Sequence, residues 1–345
     1  MKLKQLQSYL KKEKINLAVL VDDDINITYF TQTKPSFAYL FITPKIASLY
    51  ITKLDKKPKL KEITIKILDQ DWKKKFNKNV KKIGLNNASI TLDYAKKLKK
   101  MFPKAKFVDI SKQLTELRST KTTQECKCII KACQITDFAF SELVKELPKK
   151  RLKTEQEVAD FLEKKIKSRG GELAFPTIVA MGKNAAIPHH LTSQQILKRG
   201  FLLLDFGAKY DYYCADMSRV LFLGTPHKQE IKMYNLLLEA QKGAIKQIEE
   251  NKSFVEIDKF VRKQLGKYSS YFIHSLGHGL GLNIHEKPSY LKENNYKIMP
   301  GHAFTVEPGI YFPGKFGLRI EDTIIFDGKV KILTKSNKNL INVKI

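Results

Sequence analysis

Asp205 and Asp216, Glu307 and Glu321, and the histidines of one glycine-rich stretch are the side chains whose types and spacing could do chemistry here. The stretch His274–Glu286 reads HSLGHGLGLNIHE and holds three of the seven histidines within twelve residues, interleaved with Gly277, Gly279 and Gly281. Imidazoles gathered on so open a backbone point to a site. The acids come in two pairs. In Phe201–Leu223, two apolar runs flank a polar centre, as in a hairpin; its midpoint between Tyr210 and Asp211 makes Asp205 and Asp216 cross-strand neighbours, with Cβ atoms roughly 4.5–5.5 Å apart. In Phe304–Phe326, Pro313-Gly314 is a strong turn dipeptide, and Glu307 and Glu321 lie seven residues on either side of Gly314.

Like charges that close repel by a few kcal/mol at an effective dielectric of ~20. Each pair therefore needs a proton, a basic side chain such as Arg219 or Arg319, or a metal. Four carboxylates and one imidazole form a natural ligand set for two divalent cations, because carboxylates can bridge both ions and four negative charges match two M²⁺. His274 and His278 are spaced i, i+4, but Ser275 stands where a zincin helix needs glutamate, and the glycines disfavour helix. The segment is read as extended, with one histidine on the metal and another beside it as acid, base or hydrogen-bond donor.

The elements that must position these groups follow from periodicity. Leu3, Leu6 and Leu10 mark a helix over 1–13, and the apolar runs Leu17–Val21, Ala38–Thr43, Ala47–Thr52 and Lys81–Leu85 read as strands, followed by a helix over Leu92–Met101. This α/β unit ends near Asp109. Residues 110–117 and 118–123 read as a polar connection into a long helix, Glu125–Glu146, stopped by Pro148. A capping box at Thr154 opens a second helix that runs to Gly170-Gly171. Strands over Phe175–Met181, Phe201–Phe206 and Tyr212–Leu223 follow, then helices near 227–250 and 254–266, then strands at Ala303–Glu307 and Phe316–Phe326. The fold class is α+β, with domains 1–117 and 118–345.

With 345 residues, 43% of them hydrophobic, the chain can fill two cores. Its formal charge of +28 raises nucleic-acid binding by counterion release. Lysine, however, is scattered along nearly the whole chain with no aromatic-interleaved basic motif, so the charge reads as a solvated surface and nucleic acid is not expected as a partner. No signal-peptide core and no apolar run of ~20 residues is present. Cys126, Cys128, Cys133 and Cys214 form no CxxC pair, which suits reduced thiols in the cytoplasm.

The ordered set LLDFG…CADMSR, HSLGHGLG…HE.P, FTVEPGIY and GLRIED closely resembles the pita-bread metallopeptidases: methionine aminopeptidase, aminopeptidase P and prolidase. The resemblance covers about 180–325, and the first α/β unit looks like the creatinase-type domain of the proline-specific members. It implies Asp205, Asp216, His278, Glu307 and Glu321 as ligands of two divalent ions, Mn²⁺ or Co²⁺ foremost and Zn²⁺ or Fe²⁺ next. It also implies His285, His274 and the histidine of NAAIPHH as further site residues. His189, directly after Pro188, is preferred there to His190, and Arg319 matches the family's site arginine. The family's aspartate-x-threonine-arginine-threonine appears here as Asp216-Met217-Ser218-Arg219-Val220, with Ser218 able to replace a threonine hydroxyl.

What the resemblance implies is metal-assisted hydrolysis of small peptides by a homodimeric enzyme. Glu307 would shuttle a proton to the leaving nitrogen. His285 and His189 would stabilise the tetrahedral intermediate, and His274 and Arg319 would bind substrate. The creatinase-type first domain favours cleavage before proline and sets methionine aminopeptidase aside. Creatinase lacks the ligand set. The compact length favours a prolidase-like dipeptidase over aminopeptidase P, and a non-catalytic peptide- or RNA-binding member is the remaining alternative.

Overall fold

Runs of buried apolar residues build a mixed sheet in the first of the two units into which the chain divides, Met1–Arg118 and Ser119–Ile345. The computed structural model describes residues 2–72, 79–289 and 296–344. In chain order the first unit holds α1 (Lys2–Lys12), β1 (Leu17–Val21), α2 (Ile25–Thr31), β2 (Ala38–Ile42), β3 (Ala47–Ile51), β4 (Thr64–Ile67), β5 (Lys82–Leu85), α3 (Leu92–Met101), β6 (Lys106–Asp109) and α4 (Ser111–Ser119). The sheet order is β4-β3-β2-β1-β5-β6. Its two edge strands, β4 and β6, escape the periodicity reading because they are short and only partly buried. The expected polar connection over 110–117 is corrected to a helix: Ile110, Leu114 and Leu117 are buried at i, i+4 and i+7, one face of α4.

In the second unit, α5 (Thr123–Glu146) and α6 (Glu155–Ser168) each begin at a capping box, Thr122 with Glu125 and Thr154 with Glu157. The unit continues through β7 (Glu172–Leu173), β8 (Ile178–Met181), β9 (Gly200–Phe206), β10 (Ala208–Tyr210), β11 (Tyr213–Cys214), β12 (Met217–Leu223), α7 (Lys228–Lys246) and α8 (Phe254–Leu265). It ends in β13 (His278–Gly279), β14 (Glu286–Ser289), β15 (His302–Val306), β16 (Gly309–Phe312), β17 (Phe316–Arg319), β18 (Asp322–Phe326), β19 (Val330–Ile332) and β20 (Ile341–Val343). Two sheets carry the site: β20-β12-β9-β8 and β14-β13-β15-β18-β19.

Alternation along β9 and β12 sorts the core into two layers. Leu202, Leu204, Phe206, Leu221 and Leu223 pack with Phe140, Leu143 and Leu162 of α5 and α6. Phe201, Leu203, Val220 and Phe222 face the other layer, with Leu237, Phe254 and Val261 of α7 and α8 and with Phe304, Val306 and Ile324 of the second sheet. Asp205, two residues after Leu203, shares that second face. Val220, where the family pattern has threonine, is part of this core.

The first hairpin departs from expectation in register. β9 pairs with β12 so that Asp205 lies opposite Ser218, and β10 and β11 lead to a turn at Asp211-Tyr212, whose φ values are 50° and 71°. The expected direct pairing of Asp205 with Asp216 is thereby corrected to a diagonal one on the same face. Two successive left-handed residues are what a type I′ turn requires, and Asp-Tyr does not advertise it as Asn-Gly would. The second hairpin turns where Pro313-Gly314 indicates, with Gly314 at φ 72°. The ladders β15–β18 and β16–β17 share one register, from His302 opposite Phe326 to Phe312 opposite Phe316. Glu307 and Glu321 thus stand opposite each other in the gap between the two ladders.

Next to Glu321, Asp322 is a buried hub. It accepts hydrogen bonds from Arg219 Nη2 at 2.8 Å, Thr334 Oγ1 at 2.8 Å, Gln241 Nε2 at 2.9 Å and Lys338 Nζ at 2.5 Å. It so ties β18 to β12, α7 and the chain's last turn. Asp322→Ala strands Arg219 as an uncompensated buried cation and is expected to lower the unfolding free energy by about 3–5 kcal/mol. Urea denaturation measures this, and an unchanged midpoint would contradict it.

Candidate active site

The two hairpins and the glycine-rich stretch converge on a cleft of about 710 Å³, lined among others by Asp205, Asp216, His278, Glu307 and Glu321 and by His189, His274, His285 and Arg319. The side chains expected at the site are therefore brought together. His278 Nε2 lies 3.4 Å from Asp216 Oδ2 and 3.4 Å from Glu307 Oε1. Asp216, His278 and Glu321 each offer a donor atom, and these atoms all lie within 4.8 Å of one another. His278 Nδ1 faces Gly279 O at 3.3 Å, which assigns its proton to Nδ1 and leaves the Nε2 lone pair aimed at the acids.

Two hydroxyls orient the carboxylates. Thr305 donates to Glu307 Oε1 at 3.0 Å while accepting the His278 N–H at 3.0 Å. Ser218 donates to Glu321 Oε2 at 2.7 Å and accepts from Arg319 Nε at 2.8 Å, so serine supplies the hydroxyl that threonine supplies in the family pattern. Burial pushes the Asp216 carboxyl well above the usual range, and the neighbouring charges of Asp205 and Glu307 push it further. Glu321 is raised in the same way, by burial and then by Asp216 and Glu307.

One observation tests whether a cation fits. Asp205 Oδ1, Asp216 Oδ1 and Glu321 Oε1 are sealed from solvent without a hydrogen-bond partner among the described residues. An unpaired buried carboxylate oxygen costs several kcal/mol. Three such oxygens on three acids beside a properly oriented imidazole are a donor set that divalent cations satisfy.

Around this cage, Arg319 Nη2 binds Asp205 Oδ2 at 2.5 Å, and Arg319 Nη1 donates to the Tyr311 hydroxyl at 2.7 Å. The Tyr311 hydroxyl lies 2.8 Å from His274 Nε2, and His274 Nδ1 lies 2.8 Å from Ser275 O. With Nδ1 donating to that carbonyl, Nε2 accepts from tyrosine, and burial keeps His274 below the ordinary imidazole pKa. His274 and Arg319 thus engage protein groups while lining the cleft. Tyr311 went unassigned in the sequence. Its pKa is pushed up to about 12, first by burial. The available signal was its place opposite Gly317 in β16–β17, where a missing side chain leaves room for the ring.

His285 packs edge to face on His278 with ring centroids 4.2 Å apart. Burial, then the neighbouring His278, lowers its pKa below the ordinary imidazole value. The next residue, Glu286, is anchored by buried Lys121 at 2.8 Å. His190 is bonded to Glu155 Oε2 at 3.0 Å, whereas His189 has no hydrogen bond to a described residue and lines the cleft.

A pair of hairpins that gathers carboxylates and imidazole at the floor of a cleft, in a helix-covered two-sheet fold, defines a metal-dependent hydrolase. The chain belongs to metallopeptidase family M24: residues 127–327 match that family, and residues 2–120 match the Creatinase/Prolidase N-terminal domain. The Xaa-Pro dipeptidase of Pyrococcus horikoshii is 34% identical over 349 residues, 99% of this chain and 98% of that protein. The crystal structure of the prolidase from the same organism matches with a TM-score of 0.90 at 31% identity, covering 99% of both chains. The X-Pro aminopeptidase from Thermotoga maritima matches with a TM-score of 0.89 at 30% identity, covering 96% of this chain and 98% of that one. The architecture is a creatinase-type domain followed in sequence by the pita-bread metallopeptidase domain, and the family's chemistry implies divalent metal ions. Among the described residues no helix is long and apolar enough to cross a membrane.

Proposed function

We propose that the chain is a Xaa-Pro dipeptidase that hydrolyses the peptide bond preceding proline, with Asp205, Asp216, His278, Glu307 and Glu321 holding two divalent ions. The observation that carries this reading is the set of three buried carboxylate oxygens, without a hydrogen-bond partner among the described residues, at the floor of a histidine-lined cleft. Support for the substrate comes from the end-to-end likeness to proteins described as Xaa-Pro dipeptidase and prolidase. Bound there, the ions supply Lewis acidity toward the scissile carbonyl and a water that ionises near neutral pH. Mn²⁺ or Co²⁺ suits an oxygen-rich donor set with one imidazole, and Zn²⁺ or Fe²⁺ is compatible with it.

The remaining work falls to the protein's own groups. Glu307, held by the Thr305 hydroxyl at one oxygen, takes a proton from the attacking water and passes it to the leaving nitrogen. His285 and His189 donate hydrogen bonds to the substrate and to the oxyanion of the tetrahedral intermediate. Arg319, Tyr311 and His274 form a directed chain that holds Asp205 and the cleft wall in place. The enzyme works as a homodimer in the cytoplasm, a compartment that suits its four free cysteines.

A second reading, an aminopeptidase acting on longer Xaa-Pro peptides, is favoured by the likeness to the X-Pro aminopeptidase. Apoprotein reconstituted separately with Mn²⁺, Co²⁺ and Zn²⁺ and given Xaa-Pro dipeptides or Xaa-Pro-Yaa tripeptides decides between them. The expected result is dipeptide cleavage, highest with Mn²⁺ or Co²⁺. Cleavage of tripeptides alone selects the aminopeptidase, and no cleavage of either under any metal rejects both.

A further inference from the structure

The segment that carries His189 is held by one buried carboxylate that lies outside the cage. Glu155, the first residue of α6, is fully buried, and both of its oxygens are used. Its Oε1 accepts from Met181 N at 2.7 Å and Asn184 Nδ2 at 2.9 Å. Its Oε2 accepts from Ser193 Oγ at 2.7 Å, Ser193 N at 3.2 Å and His190 Nε2 at 3.0 Å. One oxygen thus grips the start of the excursion from β8 and the other grips its return. Gln156 N donates to Ser193 O at 3.0 Å and Glu155 N to Gln195 O at 3.0 Å, completing the clamp with backbone.

The excursion between these grips presents Pro188 and His189 to the cleft. It rests on β17, where a Cβ on Gly317 would collide with the Ala185 carbonyl. Burial alone would raise the Glu155 pKa, but hydrogen bonds from Ser193, Met181, His190 and Asn184 bring it below the ordinary value. The charged form is therefore the one the segment is built around.

We infer that Glu155 is a positioning residue for His189, closing residues 181–193 into a clamped loop that sets this imidazole at the cleft wall without itself touching substrate or cage. The clamp also explains the division of labour in the His189-His190 pair: His190 is spent on Glu155, and His189 is left for the cleft. The inference rests on the Xaa-Pro hydrolase reading, in which His189 stabilises the transition state.

Glu155→Gln keeps the shape but replaces an acceptor oxygen by an NH₂ that faces donors at one end of the loop. The expected result is a fall in kcat of about 10–100-fold, the scale of an ångström-sized misplacement, with KM and bound-metal stoichiometry little changed. The double variant Glu155→Gln/His189→Ala should be no slower than His189→Ala alone, because the two act as one unit. Ser193→Ala, a milder loosening of the same grip, should move kcat in the same direction by a few fold and show the same non-additivity. Amide hydrogen exchange over 181–193 should quicken in both variants. Wild-type kcat in Glu155→Gln, or losses that multiply in full with His189→Ala, would overturn the inference. So would unchanged exchange, a readout independent of turnover. If the wild-type protein cleaves no Xaa-Pro peptide, the activity reading fails and the exchange result alone decides whether Glu155 holds the loop.

Discussion

Asp216→Asn is expected to abolish turnover and to empty the purified protein of metal, yet to make the metal-free fold more stable than wild type at neutral pH. The opposite signs come from one carboxylate. Asp216 is buried, its Oδ1 has no hydrogen-bond partner among the described residues, and its Oδ2 lies 3.4 Å from His278 Nε2. Without a cation it stands among Asp205, Glu307 and Glu321, and the amide relieves that repulsion. With a cation it is a ligand supplied by the first hairpin, and the amide weakens that hold. Glu307→Gln removes the proton-transfer group together with one of the cage's carboxylates, with an expected loss of at least about 10²–10⁴-fold in kcat, the range of a general acid–base residue, accompanied by weaker metal binding. Elemental analysis, steady-state kinetics and melting in chelator measure the three quantities. Full activity in either variant would sink the assignment.

Stripping the metal should cost stability, and the cost should grow with pH. Asp216 and Glu321 hold their protons more tightly folded than unfolded, where their values are about 3.9 and 4.3. Their contribution to folding is therefore complete below about pH 4 and is lost as pH rises through the raised native values. A divalent ion replaces those protons, so its affinity climbs with pH. At an ion concentration of 100 Kd the stabilisation is about 2.7 kcal/mol, or roughly 5–10 °C in Tm for a unit of this size. Melting curves with chelator and with Mn²⁺ at pH 5.5 and pH 8 should show the larger gap at pH 8. A gap that shrinks with pH would mean that these carboxylates do not bind the ion.

How much of this was legible in the sequence differs between the two hairpins. Pro313-Gly314 announces its turn, so Glu307 and Glu321 could be placed opposite each other by counting. Asp211-Tyr212 does not announce its own, because left-handed backbone at Asp and Tyr is imposed by the surrounding strands; counting from the polar centre therefore misplaces the partner of Asp205 by two residues. The faces survived the error because it amounted to two residues of register. α4 was missed because Ile110, Leu114 and Leu117 are separated by polar residues that a linker would also contain. Tyr311 and Glu155 are hard to read for another reason. Each acts through a hydrogen bond to an element distant in the chain, and no local pattern records such a bond; for Tyr311 the glycine opposite it marks room for the ring but not its partners. The place of His189 directly after Pro188 favours it over His190, and the bond that occupies His190 is visible only in the fold.

The left-handed turn at Asp211-Tyr212 also bears on how this hairpin can change length over evolutionary time. Because side chains alternate between faces, inserting or deleting a single residue within the paired arm 213–215, without a compensating bulge, would rotate Asp216 away from the cleft and into the layer packed by α5 and α6. A pair of residues gained or lost would leave it facing inward. Surviving descendants of this chain should therefore vary here in steps of two, while the exposed loops elsewhere vary freely.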